Sequence, residues 1–199
     1  NPMSLKARIK NKEAQIGVIG VGYVGLPLAV EFAKAGFPVT GIDVDEIKVA
    51  AINAGENYIP DIADETLQTL VSSGNLQATK DMDIIADLDA VAICVPTPLN
   101  KVGDPDISYI IAAINAINKA IHKDLFVILE STTYPGTTQE IVFSRLEKSG
   151  LTVGKDYYLC FSPERVDPGN DKYTMANTPK VIGGVTAACT QLGALLYDQ

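Results

Sequence analysis

The stretch QIGVIGVGYVG, residues 15–25, decides the fold. It opens with a short apolar run, Gln15–Gly20, whose β-branched residues predict a buried strand. The run ends in three glycines spaced GxGxxG, and a helical pattern follows from about Val24 to Ala35. A glycine-rich turn between a strand and a helix predicts a βαβ unit, the building block of a parallel sheet.

Each glycine of this turn has a separate physical use. Gly20 permits the tight turn, Gly22 allows a ligand to approach the backbone, and Gly25 lets the helix pack closely on the strand. The helix N-terminus that follows offers free N–H groups and partial positive charge to an anion. The turn therefore predicts a binding site for the pyrophosphate of a dinucleotide.

An acidic residue ends the second predicted strand, Phe37–Asp43. Asp43 lies 18 positions after Gly25, where a carboxylate accepts hydrogen bonds from the adenosine ribose hydroxyls and repels a 2′-phosphate. This spacing favours NAD over NADP. The alternative is an ordinary strand–helix turn with a solvated aspartate at the strand end.

The rest of the chain alternates between strand and helix patterns. Strands are predicted at Ala90–Val95, Leu125–Leu129, Tyr157–Phe161 and Val181–Ile182, and helices at Asp45–Ala54, Asp64–Ser73, Ile107–Ile121, Thr138–Lys148 and from Thr186 onward. Continuous apolar strands between helices predict an α/β fold with a Rossmann-like, doubly wound and mostly parallel sheet covered on both faces. We expect a flexible segment at residues 1–14, a cofactor domain at 15–185, and the start of a linking helix at 186–199.

Composition narrows the classes of function. With 199 residues, 47% hydrophobic and 20% charged, the chain has the composition of a globular domain. Its formal net charge of −8 disfavours nucleic acid or an anionic membrane as a partner, because both bind basic surfaces. One histidine and three scattered cysteines predict no metal site and no disulfide framework. We therefore expect a cytoplasmic protein that binds neither nucleic acid nor membrane.

Three predicted strand ends lead into unusual loops. Pro96–Pro98 forms a rigid loop beside the expected crevice. The hydroxyl-rich segment Glu130–Thr138 either caps a helix or hydrogen-bonds a ligand. Ser162–Asn170 holds three charged side chains that form either a solvated ion pair or a binding site. The residues alone leave these alternatives open.

Five motifs, taken in order, resemble the UDP-glucose/GDP-mannose dehydrogenase family. They are GVIGVGYVGLPLA, GIDVDEIKV, CVPTPLNKVGDPDISYI, ESTTYPGTT and FSPERVDPGN, and the resemblance runs from about Gln15 to the last residue. The last two are most similar to the branch that acts on UDP-N-acetylhexosamines, particularly UDP-N-acetylglucosamine. The resemblance implies oxidation of the C6 hydroxyl of a UDP-sugar to a carboxylate, through a cysteine-bound thioester, with reduction of two NAD⁺. It also implies a homodimer or a higher homo-oligomer.

The resemblance implies roles for individual residues as well. By motif position, the NAD-binding residues would be Gly20, Gly22, Tyr23, Val24 and Gly25 at the pyrophosphate, Asp43 and Lys48 at the adenosine ribose, and Thr97, Ser131 and Thr132 at the nicotinamide half. Glu164 would be the catalytic base that activates water, or the substrate through water, with Thr132 as a second catalytic residue. The substrate-binding residues would be Glu164, Arg165, Val166 and Asp167.

The sequence departs from the family pattern in two ways. The family's UDP-glucose members carry lysine where Glu130 stands and a carboxylate where Pro168 stands, which favours a different substrate branch. The family's nucleophile motif, Cys-x-Pro-Lys-Asp after a glycine-rich run, is absent, and Cys94, Cys160 and Cys189 do not match it. We therefore expect only the cofactor-binding part of an enzyme, inactive by itself. The alternatives are another nucleotide-sugar branch, a β-hydroxyacid dehydrogenase, and a non-enzymatic NAD-binding module.

Overall fold

A computed structural model describes residues 3–130, 135–161, 183–184 and 186–198. The strands are β1 (Ile16–Ile19), β2 (Val39–Ile42), β3 (Leu76–Thr79), β4 (Ala90–Ile93), β5 (Phe126–Leu129), β6 (Tyr158–Phe161) and β7 (Gly183–Gly184). The α-helices are α1 (Leu5–Lys10), α2 (Gly25–Lys34), α3 (Glu46–Asn53), α4 (Asp64–Ser72), α5 (Ser108–Ala120), α6 (Pro135–Glu147) and α7 (Ala187–Tyr197), and a 3-10 helix spans Met82–Asp87.

The strands form one sheet in the order β3-β2-β1-β4-β5-β6-β7. Neighbours from β3 to β6 are all parallel, and β7 is antiparallel to β6. The chain proceeds from β1 outward in one direction to β3 and then crosses back to β4, which lies on the other side of β1. Such a reversal leaves a crevice beyond the carboxyl ends of β1 and β4. The predicted doubly wound α/β fold is confirmed.

The sheet separates two hydrophobic cores. Strands β1, β2, β4 and β5 are buried along their whole length. Alternate residues of β4 enter different cores: Ala90 and Ala92 pack with residues of α2 and α7, whereas Val91 and Ile93 pack with residues of α5. Because side chains of a strand alternate between faces, both faces of the sheet are covered.

The N-terminal segment contains a helix that was not predicted from the sequence. Residues 5–10 form α1, which packs against α7. The side chain of Ser4 accepts a hydrogen bond from the Ala7 amide, and Leu5 and Ile9 are buried. Their i, i+4 spacing places them on one face of the helix. The flexibility of residues 1–14 stays a prediction.

Three further elements differ from the predicted pattern. The edge strand β3 and the 3-10 helix at Met82–Asp87 were not predicted, and β7 lies at Gly183–Gly184. The expected strand at 181–182 falls outside the described residues. Helix α7 contributes Cys189 and Leu196 to the core beneath the sheet. The proposed division between a cofactor domain and a linking helix at residue 185 stays a prediction.

Candidate functional site

The turn between β1 and α2 contains two glycines that the fold itself requires. Gly20 has a φ of +91°, and a Cβ at this residue would lie 2.8 Å from the Cys94 carbonyl oxygen. A Cβ on Gly25 would lie 1.6 Å from the Gly20 carbonyl oxygen. Both positions therefore exclude every side chain, because the conflicting atoms belong to the backbone.

Gly22 is different, since the space beside it is open. Among the described residues, a Cβ at Gly22 would meet a single atom within 4 Å, the Lys48 Nζ, at 3.8 Å. No strain in the protein demands glycine here. The missing side chain instead leaves room for a ligand to contact the backbone, and the lysine ammonium stands beside that room.

The N-terminus of α2 opens at the same turn. Within the described residues no side chain caps this helix end, and the Leu26 amide bonds back to the Gly22 carbonyl oxygen at 3.1 Å. Pro27 occupies the first helical turn, where a missing N–H costs little. An uncapped helix N-terminus carries partial positive charge and favours an anion.

Asp43 joins the end of β2 to the glycine turn. Its Oδ2 accepts a hydrogen bond from the Val21 amide at 3.0 Å, and its Oδ1 accepts one from the Asp45 amide at 2.9 Å. The residue is half-buried at the crevice. A carboxylate has about four acceptor positions, so Asp43 retains capacity to accept the two hydroxyls of a ribose.

Tyr58 holds the other side of Val21. Its hydroxyl donates a hydrogen bond to the Val21 carbonyl oxygen at 2.5 Å. Burial, together with the nearby charges of Asp43 and Asp45, raises the pKa of this hydroxyl above its usual value, so it stays protonated and remains a donor. No motif in the sequence pointed to this residue, which lies 37 positions from its partner.

The crevice at the carboxyl ends of β1, β2 and β4 has a volume of about 720 Å³. Most of the predicted cofactor residues within the described part of the chain line it: Gly20, Gly22, Tyr23, Val24, Asp43, Lys48 and Thr97. Gly25 instead packs against Gly20 beneath the turn. Sequence reasoning missed Met82 and Tyr109, which also line the crevice. The open volume and the predicted residues therefore coincide.

Other predicted site residues cannot be placed in this geometry. Ser131, Thr132, Glu164, Arg165, Val166 and Asp167 lie outside the described residues. Glu130, which directly precedes the first of them at the end of β5, is fully buried. The cofactor-binding, catalytic and substrate-binding roles of these six residues stay predictions.

The three cysteines are buried and form no disulfide. Cys94 lines the crevice wall at the end of β4. The Cys160 thiol donates a hydrogen bond to the Cys189 carbonyl oxygen at 2.8 Å, and burial raises the pKa of Cys160 to about 12, with a smaller contribution from Cys189. A protonated, buried thiol of this kind is a poor nucleophile.

The described residues hold neither a candidate metal site nor a candidate membrane span. Over residues 3–130, 135–161, 183–184 and 186–198, no group of three or more histidine, cysteine, aspartate or glutamate side chains is arranged to hold a metal ion. No helix in that part of the chain combines the length and apolar character that a membrane crossing needs.

Known proteins share both the sequence and the fold. The model of the UDP-glucose/GDP-mannose dehydrogenase family, NAD binding domain, matches residues 14–199. A UDP-N-acetyl-D-glucosamine 6-dehydrogenase from Salmonella typhi is 35% identical over 188 residues, which cover 94% of this chain and 43% of that protein. The structure of UDP-D-ManNAc dehydrogenase from Pyrococcus horikoshii superposes with a TM-score of 0.85 at 36% identity, over 92% of this chain and 44% of that one.

A second solved structure has a similar fit. An NDP-N-acetyl-D-galactosaminuronic acid dehydrogenase from Methanosarcina mazei Go1 has a TM-score of 0.86 at 32% identity, over 99% of this chain and 45% of that one. A 3-hydroxyisobutyrate dehydrogenase from Mycobacterium tuberculosis, at 17% identity and a TM-score of 0.60, shares the fold alone.

The chain spans less than half the length of the curated relatives it matches, 43% and 44% in two cases. The family model covers all of this chain except its first 13 residues, and it is the model of an NAD-binding domain. The prediction of an NAD cofactor is therefore confirmed. The chain belongs to the UDP-glucose/GDP-mannose dehydrogenase family, and the matched region is the NAD-binding domain of that family.

Proposed function

We propose that the chain is the NAD-binding part of a nucleotide-sugar 6-dehydrogenase that oxidises the C6 alcohol of a UDP-N-acetylhexosamine to a uronic acid. The support is its family and the relatives at 35% to 37% identity that are named for UDP-N-acetylglucosamine or UDP-N-acetylmannosamine. The observation that carries the proposal is the crevice, which Gly22 with its open side, Lys48 and Asp43 all line.

The residues present fit NAD. The open side of Gly22 and the uncapped N-terminus of α2 suit a pyrophosphate. The Lys48 ammonium, predicted at the adenosine ribose, lies beside Gly22. Asp43 accepts the ribose hydroxyls and repels a 2′-phosphate. Thr97, which also lines the crevice, is proposed from its motif position to contact the nicotinamide half. Once bound, NAD⁺ supplies the hydride acceptor for the alcohol and then for the aldehyde.

The remaining roles are proposed from the family motifs. Ser131 and Thr132 contact the nicotinamide half, and Glu164 acts as the general base that activates water for hydrolysis of the thioester. Residues 165–167 face the sugar and its pyrophosphate. Thr132 assists as a second catalytic residue.

The setting of the enzyme is proposed as well. We infer a reducing, cytoplasmic location, which the lack of a disulfide among the three cysteines supports. We also propose assembly as a homodimer or a higher homo-oligomer, which the family resemblance supports. Chemical cross-linking followed by mass measurement tests the assembly.

A substrate panel on the complete polypeptide that contains this chain tests the proposed reaction. With NAD⁺, we expect NADH at 340 nm with UDP-N-acetylglucosamine or UDP-N-acetylmannosamine, two NADH per sugar, and much slower reduction with UDP-glucose or GDP-mannose. A preference for UDP-glucose or GDP-mannose would overturn the substrate branch. No NADH with any nucleotide sugar would overturn the enzymatic role.

A variant separates the enzyme from a cofactor sensor. In the complete polypeptide, Glu164→Gln should slow hydrolysis and let a covalent acyl adduct accumulate, visible by mass spectrometry. A protein that only senses NAD would show neither the adduct nor a change in its response. Steady NADH production by the 199-residue chain alone would contradict the view that it is only the cofactor-binding part.

A further inference from the structure

The backbone at Val21, between the first two glycines of the turn, is held from both sides. Its N–H donates to Asp43 Oδ2 at 3.0 Å, and its carbonyl oxygen accepts from the Tyr58 hydroxyl at 2.5 Å. The Val21 side chain is fully buried. One residue of the turn is therefore fixed by two side chains from elements that follow β2.

The hydrogen bond from Tyr58 also orients the next amide group. The described peptide bonds contain no cis form, so the Val21 carbonyl and the Gly22 N–H lie in one plane and point in opposite directions. Holding the carbonyl towards Tyr58 thus holds the Gly22 N–H away from Tyr58. Gly22 lines the crevice on its open side.

Tyr58 is itself held in place. Its neighbour Asn57 donates through Nδ2 to the Ile62 carbonyl oxygen at 2.5 Å and to Asp64 Oδ1 at 2.9 Å, and accepts from the Ile59 amide at 2.9 Å. This closed network braces the loop between α3 and α4. A braced loop presents the Tyr58 hydroxyl at a fixed position, which is the condition for preorganising a binding site.

We propose that Tyr58 is a positioning residue for the cofactor: its hydroxyl fixes the Val21–Gly22 peptide so that the Gly22 N–H is presented to the dinucleotide pyrophosphate. The inference rests on the proposed function, since it concerns the same cofactor site. It predicts that Tyr58 contributes to the affinity for phosphate-containing ligands without contacting the ligand. The affinity for adenosine, which lacks phosphates, should not depend on Tyr58.

The test compares Tyr58→Phe with the unchanged chain and with a matched control, Tyr158→Phe. Both substitutions delete one hydroxyl from a half-buried tyrosine, but Tyr158 begins β6 at the amino ends of the strands, away from the crevice. Dissociation constants for NADH, ADP-ribose and adenosine are measured by titration of amide resonances. Because Tyr58→Phe loses one neutral hydrogen bond, its affinities for NADH and ADP-ribose should fall by roughly three- to tenfold. Adenosine affinity, and all three affinities in Tyr158→Phe, should stay unchanged.

A second signature needs no ligand. In free Tyr58→Phe, the Gly22 amide resonance should shift and its ¹⁵N relaxation should report increased motion, whereas Tyr158→Phe should leave both unchanged. Equal NADH affinity in Tyr58→Phe and the unchanged chain would overturn the inference, as would a parallel loss of adenosine affinity, which would indicate a general structural role. Failure of the unchanged chain to bind NADH would overturn the proposed function itself and the inference with it.

Discussion

Adding a methyl group to Gly25 and to Gly22, two glycines three positions apart in the same turn, should have different effects. The first should lower the stability of the fold, and the second should lower the affinity for NADH. In Gly25→Ala the new Cβ would lie 1.6 Å from the Gly20 carbonyl oxygen. Because the new Cβ and the carbonyl oxygen are both attached directly to the backbone, relieving this contact requires α2 to move away from β1. We expect a loss of about 3 kcal/mol or more in the free energy of unfolding, or no folded protein at all.

Gly22→Ala should leave the fold intact. Within the described residues the new Cβ would meet the Lys48 Nζ at 3.8 Å, an ordinary contact with the end of a flexible side chain. The free energy of unfolding should therefore change by less than about 1 kcal/mol, because alanine lowers the conformational entropy of the unfolded chain and offsets a small loss of packing. The methyl group would occupy the space that a pyrophosphate needs, so NADH affinity should fall by about tenfold or more.

Urea unfolding followed by circular dichroism measures the first quantity, and titration with NADH measures the second. The two variants control for each other, since each adds one carbon to the same turn. NADH affinity in Gly22→Ala equal to that of the unchanged chain would refute the assignment of the open space to the cofactor. A stable Gly25→Ala would refute the packing geometry of the turn.

Two further predictions concern stability away from the crevice. Asp89→Ala should lower the free energy of unfolding by about 1 to 3 kcal/mol, because Asp89 accepts hydrogen bonds from the Gln15 amide at 2.7 Å and from Arg8 at 2.5 Å. Arg8→Ala should lower it by less than about 1 kcal/mol, because the Arg8 side chain is 42% exposed. Equal losses in the two variants would contradict this. Burial raises the pKa of Cys160 from 9.0 to about 12, so the folded state favours the protonated thiol. The free energy of unfolding should therefore fall as the pH rises from about 9 towards 12, by less than about 1.4 kcal/mol per pH unit. Urea unfolding at pH 8 and pH 10 should show a smaller decline in Cys160→Ala, and an identical decline would count against the buried, protonated thiol.

The parts of the fold that follow from local sequence were predictable. Strand β1 and helix α2 combine an apolar run, a glycine turn and a helical period in one short segment, and each signal agrees with the others. Strand β3 was missed because its alternating sequence, LQAT, is only four residues long and has a single β-branched residue, which makes a weak strand signal. Helix α1 was missed because charged residues surround its two buried ones, although Ser4 as a cap and the spacing of Leu5 and Ile9 were available as signals.

The site divides in the same manner. Glycine spacing and the aspartate at the end of β2 follow from what a dinucleotide requires, and both line or support the crevice. Tyr58 and Tyr109 could not be predicted, because their positions depend on how α3, α5 and the loops pack on the sheet. Contacts between distant residues of this kind are set by tertiary packing and leave no local pattern.

Titration of the chain with NAD⁺ and with NADP⁺ under identical conditions tests the central claim, that the crevice is an NAD site selected by Asp43. We predict that NAD⁺ binds at least about tenfold more tightly, because the 2′-phosphate of NADP⁺ meets a carboxylate whose position is fixed by the Val21 and Asp45 amides. Asp43→Ala should lower the affinity for NAD⁺ and reduce the ratio between the affinities for NAD⁺ and NADP⁺. Equal affinity for the two dinucleotides in the unchanged chain, or a difference that Asp43→Ala leaves intact, would contradict the account.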